Sequence, residues 1–294
     1  MSSTAHIAAP RTFLSTLWYE ANGIQKTAAV IGVTLLLIAF LAQIIAPFDP
    51  QQQSLLSRLR PPLGFERHKD GFWLGTDELG RDVLSRSIYG LQLTLGLALA
   101  GACIGLVIGG TLGLFAGLRR GWLEDLIMAA VDLQIAVPFT LLALLILALL
   151  GSSLPVMVCV LGIAGWEQYA RIVRAEVRKI TELPFIEAAR ASGAGQRYIA
   201  LKHVLPNIVS PLVVQFTLSL SNIVILESTL SFLGLGVQPP TATLGSMVGY
   251  GRDYMPTAPW MVAVPAALII LITFSVQILG DWLRDRADVR LRAR

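Results

Sequence analysis

Charge is what this sequence has least of. Asp, Glu, Lys and Arg make up 14% of its 294 residues, against about a quarter in an ordinary soluble domain. Aliphatic side chains take their place: 54% of the chain is apolar and the mean hydropathy is +0.66. Apolar runs of membrane length argue for a bilayer rather than a large soluble core. Cysteine is nearly absent. Cys103 and Cys159 fit no zinc spacing and allow at most one bridge; each lies in an apolar run, where a small buried side chain is expected. No Gly-x-x-x-x-Gly-Lys-Ser/Thr stretch is present, so any phosphate chemistry must reside in another chain. No His-Glu-x-x-His or Gly-x-Ser-x-Gly motif occurs, which leaves an enzymatic role or a metal site without support. The net charge of +4 does not imply nucleic acid, because no basic patch with interleaved aromatics accompanies it.

What is present is a series of apolar runs, each near the 20 residues a bilayer requires. They fall at about 28–46, 91–117, 126–150, 154–170, 212–233 and 260–279. The first is longer than a signal-peptide core and lacks a small-x-small cleavage site, so a retained anchor helix is expected. The predicted fold is an all-α polytopic membrane protein with six transmembrane helices. With the N-terminus inside, sixteen Lys and Arg fall on inner segments and seven on outer ones. That asymmetry favours both termini in the cytoplasm. The expected organisation is a cytoplasmic segment over 1–27, a first helix with an outer loop over 28–90, a membrane core over 91–281, and a basic tail over 282–294. An inner loop over 171–208 interrupts the core.

That inner loop carries the strongest signal. Pro184 can open a helix, where its missing N–H costs nothing. Glu187 then falls in the first turn, where a carboxylate suits the helix dipole. Ala188, Ala189 and Ala191 favour helix and leave little bulk. Gly193 and Gly195 interrupt it. Tyr198, Leu201 and Leu205 follow at helical spacing, so a second helix with an apolar stripe is expected. Pro206 should stop that helix from running straight into the fifth span. Periodicity alone leaves two readings open: a ridge that fits a groove in another protein, or a helix lying on the membrane surface.

The residues resemble the Glu-Ala-Ala motif of ATP-binding-cassette importer permeases: Glu-Ala-Ala, three residues, Gly, nine residues, Ile, one residue, Leu-Pro. Glu187, Ala188, Ala189, Gly193, Leu205 and Pro206 fall in register. His203 stands at the Ile position, and the ending from His203 to Asn207 resembles the peptide-permease branch. Leu74 to Gly90, Glu227 to Pro240 and Gly280 to Arg292 are similar to segments of the second permease subunit of dipeptide, oligopeptide and nickel importers. The resemblance implies a type I importer transmembrane domain in the bacterial inner membrane, and a coupling helix around Glu187, Ala188, Ala189, Arg190, Ser192 and Gly193, closed by Leu205 and Pro206. It implies a related permease as partner, in a heterodimer or by self-pairing. It also implies two ATPase subunits that bind ATP and Mg, and an external solute-binding protein. No cofactor is expected in this chain. Asp77, Arg81 and Asp82 are the candidate contacts to the binding protein, with capping by Thr76 or Asp77 and anchoring of a short interfacial helix as the local alternative. A secondary transporter or channel, or an intramembrane enzyme, are the rival classes; neither accounts for the segment from Glu187 to Pro206.

Ionisable residues inside spans are costly and suggest function. Asp132 and Glu227 are such residues. Gln215, Ser219, Asn222 and Thr229 fall within one sector of the fifth span, a stripe that could line a translocation path. Glu227 lies off that stripe and could instead pair with another span or cap the outer loop.

Overall fold

The computed structural model describes residues 21–292, with side chains through residue 286. The first twenty residues, including Arg11, and the end of the basic tail lie outside the described part. Twelve helices follow in order: α1 (Gly23–Phe40), α2 (Ala42–Ile45), α3 (Val83–Leu118), α4 (Trp122–Ala136), α5 (Phe139–Leu150), α6 (Leu154–Ile163), α7 (Trp166–Thr181), α8 (Pro184–Ala191), α9 (Gln196–Tyr198), α10 (Leu205–Leu230), α11 (Leu244–Gly251) and α12 (Trp260–Arg292). Among the described residues the only β pairing is an isolated bridge between Thr76 and Asp82.

Among the described residues, five helical stretches are long and apolar enough to cross a bilayer, and a bent pair, α4 with α5, makes a sixth if taken as one span. Large apolar side chains such as Val33, Leu37, Phe40, Leu141 and Leu149 are exposed, as a lipid-facing surface requires. Cys103 and Cys159 are also exposed rather than buried. They lie on outward faces, where an apolar run meets lipid instead of core.

Two expected spans prove to be broken. The third bends by 86° between α4 and α5. Val137 is extended ahead of Pro138, because the proline ring excludes the helical conformation from the residue before it. The fourth breaks at Ala164, which is extended, and Gly165, whose φ of +88° only glycine adopts cheaply. It then continues as α7 to Thr181, eleven residues beyond the expected end. Both breaks fall in the middle of the membrane domain, where irregular backbone survives only beside protein or a water-filled cavity.

The second span is also longer than expected. Helix α3 runs 36 residues, about 54 Å at 1.5 Å per residue. The segment expected to form a separate interfacial helix is its first two turns. Asp82, not Thr76 or Asp77, is the N-cap, accepting from the Ser85 N–H at 2.8 Å.

A glycine seam joins α3 to α6 and α7. Gly101, Gly105, Gly109, Gly113 and Gly117 recur every fourth residue and so share one face. A Cβ added at Gly101 would stand 2.9 Å from Leu161 Cβ, and at Gly117 2.6 Å from Val177 Cβ. At Gly109 and Gly113 it would press on the carbonyls of Trp166 and Ala170. The seam therefore brings backbone against backbone, the mode by which small residues hold helices together in lipid.

Candidate functional site: the coupling helix and a polar cavity

Helix α8 is built as the local sequence dictates. Pro184 occupies its first turn and Glu187 follows. Its C-terminus closes in a Schellman motif: the Gly193 N–H donates to Arg190 O at 2.9 Å, and the Ala194 N–H to Ala189 O at 3.0 Å. Gly193 has φ +84°, which favours glycine at the closing position. Ser192 Oγ donates to Ala188 O at 2.9 Å.

Only Ile186 of this helix is buried, against Val173, Val177 and Ile180 of α7, Ile199 and Val204 of residues 199–204, and Ile208 of α10. Glu187, Ala188, Arg190, Ser192 and Gly193 are exposed and Ala189 half-buried. The result is a stiff two-turn ridge, anchored through one side chain, with its small residues and its carboxylate turned outward. His203 lies between Phe185 of α8 and Tyr198, with ring centroids 5.8 and 5.6 Å away.

One expectation about the end of this loop is corrected, and another is refined. The apolar stripe of Tyr198, Leu201 and Leu205 is exposed, at 52%, 67% and 40%. The buried positions are Ile199, Val204 and Ile208, because residues 199–204 form a π-helix, whose wider turn shifts the inward face. Pro206 does not end the run. The π-helix passes into α10 without a break, so the helix runs on from Gln196 through Leu230. A π adjustment accommodates the missing donor of a proline in such helices.

Asp77, Arg81 and Asp82 are 4%, 5% and 2% exposed, so the charged groups expected to meet an outside protein instead build the outer loop. Arg81 Nε donates to Asp77 Oδ2 at 2.6 Å, and Arg81 Nη2 to Glu78 Oε1 at 2.7 Å. Arg86 Nε lies 3.3 Å from the same Asp77 oxygen. Burial pushes the Asp82 carboxyl above its ordinary range, opposed by its hydrogen bonds from Ser85.

The expected path residues separate into two groups. Glu227 is fully buried. Ser231 Oγ donates to it at 2.6 Å and Thr94 Oγ1 at 3.3 Å, and Thr94 in turn accepts from the Leu244 N–H at 3.2 Å. It ties α10 to α3 and α11. Asp132 is exposed on α4 and accepts from Arg171 Nη2 at 2.8 Å. Gln215 and Ser219 are buried, with Gln215 Nε2 donating to Gln168 Oε1 at 2.8 Å and to Ser219 Oγ at 3.2 Å. Asn222 is exposed.

Ser219 and Asn222 line a cavity of about 260 Å³ where both helix breaks meet α10; Thr140, Gly165, Glu167 and Gln168 complete its polar wall. Glu167 and Gln168 escaped the sequence reading. The rule that drew attention to Asp132 and Glu227 would have found Glu167, which lies within the expected fourth span. Gln134 supports it: Gln134 Nε2 donates to Glu167 Oε2 at 3.2 Å and to Ile163 O at 2.8 Å, and its Oε1 accepts from Trp166 Nε1 at 2.8 Å. Glu124 is a second omission. It is 4% exposed and accepts from Arg174 Nε at 2.6 Å and from Arg178 Nη2, fastening α4 to α7 just above α8.

Known proteins share both the sequence and the fold. The profile of the family described as the binding-protein-dependent transport system inner membrane component matches residues 109–289. The dipeptide transport system permease protein DppC of Haemophilus influenzae is 33% identical over 99% of this chain and 100% of its own. The di/tripeptide transport system permease protein DppC of Pseudomonas aeruginosa is 41% identical over 88% of this chain and 86% of its own. The glutathione transport system permease protein GsiD of Pectobacterium atrosepticum is 36% identical over 92% and 89%. In the inward-facing structure of the MetNI methionine ABC transporter, one chain superposes with a TM-score of 0.56 at 23% identity, over 69% of this chain and 97% of that one. The likeness extends to the fold of a type I importer transmembrane domain. This chain belongs to the family of inner-membrane components of binding-protein-dependent transport systems, as a multi-pass permease subunit.

Proposed function

We propose that this chain forms half of the translocation path of an ATP-driven importer of di- or oligopeptides, paired with a related permease and served by two ATPase subunits and a solute-binding protein. The observation that carries the reading is α8. An exposed, capped helix held by a single buried isoleucine is suited to enter a groove in another protein. A helix bound to the membrane surface would instead show a broad apolar face. Because α8 packs on α7 and on the root of α10, movement of a docked ATPase would reach the helices around the polar cavity. In this reading α8 lies on the cytoplasmic side. The peptide assignment is supported by the relatives, whose names specify dipeptides, tripeptides and glutathione.

Glu187→Lys reverses the exposed charge on the ridge, and Gly193→Val forces a β-branched residue into positive φ, at about 1–2 kcal/mol. Both variants should insert normally. Each should lose copurifying ATPase and slow peptide uptake in reconstituted vesicles by about tenfold or more. Full ATPase retention with normal uptake in both variants would refute the role of α8.

A further inference from the structure

We infer that Glu167 forms a subsite inside the membrane for the protonated amino group of a peptide in transit. The inference rests on the importer reading and names the group of the substrate that is held there.

Four observations meet at this residue. Glu167 follows the Gly165 break and is only half-buried, so its carboxylate borders the cavity of about 260 Å³ rather than protein core. The neighbouring polar groups, Thr140, Gln168, Ser219 and Asn222, are all neutral, and no Lys or Arg lines the cavity. The groups that donate to its carboxylate are neutral: the Gln134 amide at 3.2 Å and the backbone N–H groups of Gly165 and Glu167. The basic residue one turn further along α7, Arg171, is engaged by Asp132 at 2.8 Å.

An ionisable group in a membrane domain is expensive, and it is retained where a cavity and a partner offset the cost. Arg171 acts on Glu167 electrostatically, but its guanidinium is shared with Asp132, and among the described residues no cation lines the cavity side. The partner on that side is a cation that arrives and leaves. An ammonium supplies one positive charge and three donors; Glu167 offers the charge, and the oxygens of Gln168, Ser219 and Asn222 on the same cavity wall are the candidate acceptors for the other two. A carboxylate ligand would meet like charge at the same place. The site therefore selects the amino end of a zwitterionic peptide and orients it toward α7. Its neutral surroundings keep the binding weak, as a transport step requires.

The test uses the complete transporter, with both permeases and both ATPases, in lipid nanodiscs. Saturation-transfer NMR reads weak binding of alanyl-alanine and of N-acetyl-alanyl-alanine without the solute-binding protein. The wild type should bind the free dipeptide and bind the acetylated one about tenfold less. Glu167→Gln should remove that preference. Gln134→Ala, which takes away only the support of Glu167, should keep it. Equal binding of the two peptides by the wild type, or an undiminished preference in Glu167→Gln, overturns the subsite. So does absence of binding by a wild-type transporter that takes up dipeptide in vesicles. A wild-type transporter that fails to take up any peptide from its loaded binding protein overturns the importer reading instead.

Discussion

Gly109→Leu is expected to abolish accumulation of the folded chain in the membrane. The added Cβ alone would stand 2.7 Å from Tyr169 Cβ and press on the Trp166 carbonyl oxygen. Neither neighbour can yield, because one is backbone and the other belongs to a fully packed side chain; Tyr169 is 1% exposed. Helices α3 and α7 must separate, and the close contacts at Gly105 and Gly113 separate with them. Overpacking a core commonly costs about 1–3 kcal/mol, and a backbone clash at the centre of a seam belongs at or above the upper end. Lipid offers no hydrophobic penalty for parting the helices, so the lost packing is not recovered. Gly110→Leu is the matched control, since nothing lies within 4 Å of a Cβ built there. Detergent extraction followed by size-exclusion profiling should show a monodisperse peak for Gly110→Leu and little or none for Gly109→Leu. Similar peaks would mean that the seam does not hold the fold.

Asp77→Leu should release the outer loop. Asp77 accepts the N–H groups of Leu79 and Arg81, each at 2.9 Å, and it is the shared anion of Arg81 and Arg86. Removing one partner of a buried pair leaves an uncompensated charge and costs about 3–5 kcal/mol. Arg81 retains Glu78, but Arg86 is left with the Pro50 carbonyl at 3.4 Å. Limited proteolysis between residues 50 and 82 should accelerate, and the midpoint of thermal unfolding should fall. Adding Arg86→Met should recover part of the loss, because an unpaired buried cation is then gone. If the double variant is less stable than the wild type by the sum of the two single effects, the two residues are not coupled.

Local signals made some of this structure legible in the sequence. Pro184 and Gly193 start and stop α8 by their own backbone chemistry, so its bounds and outward carboxylate followed directly. The number of apolar runs agrees with the helices able to cross a bilayer once α4 and α5 are taken together. What escaped depended on neighbours. Pro138 and Gly165 are visible as breaks, but a run of hydropathy averages over them. The inward face of the π-helix, Ile199 and Val204, was not legible because a π turn changes the residue count per turn. Asp77 read as a surface charge because its two arginines are partners only after the loop closes. The glycine repeat could have been found: five glycines at every fourth position are a packing statement that hydropathy ignores.

The unbroken passage of the π-helix into α10 sets a mechanical ratio. Leu205 and Asn222 are 17 residues apart on one rod, about 26 Å at 1.5 Å per residue. A tilt of roughly 10° at its root would sweep Asn222 through about 4–5 Å. That distance approaches the spacing of neighbouring strands in a sheet, roughly the width of an extended peptide. A small adjustment among Ile186, Val204 and Ile208 is thereby geared up to several ångströms at Asn222, and a break at Pro206 would have disengaged the gear.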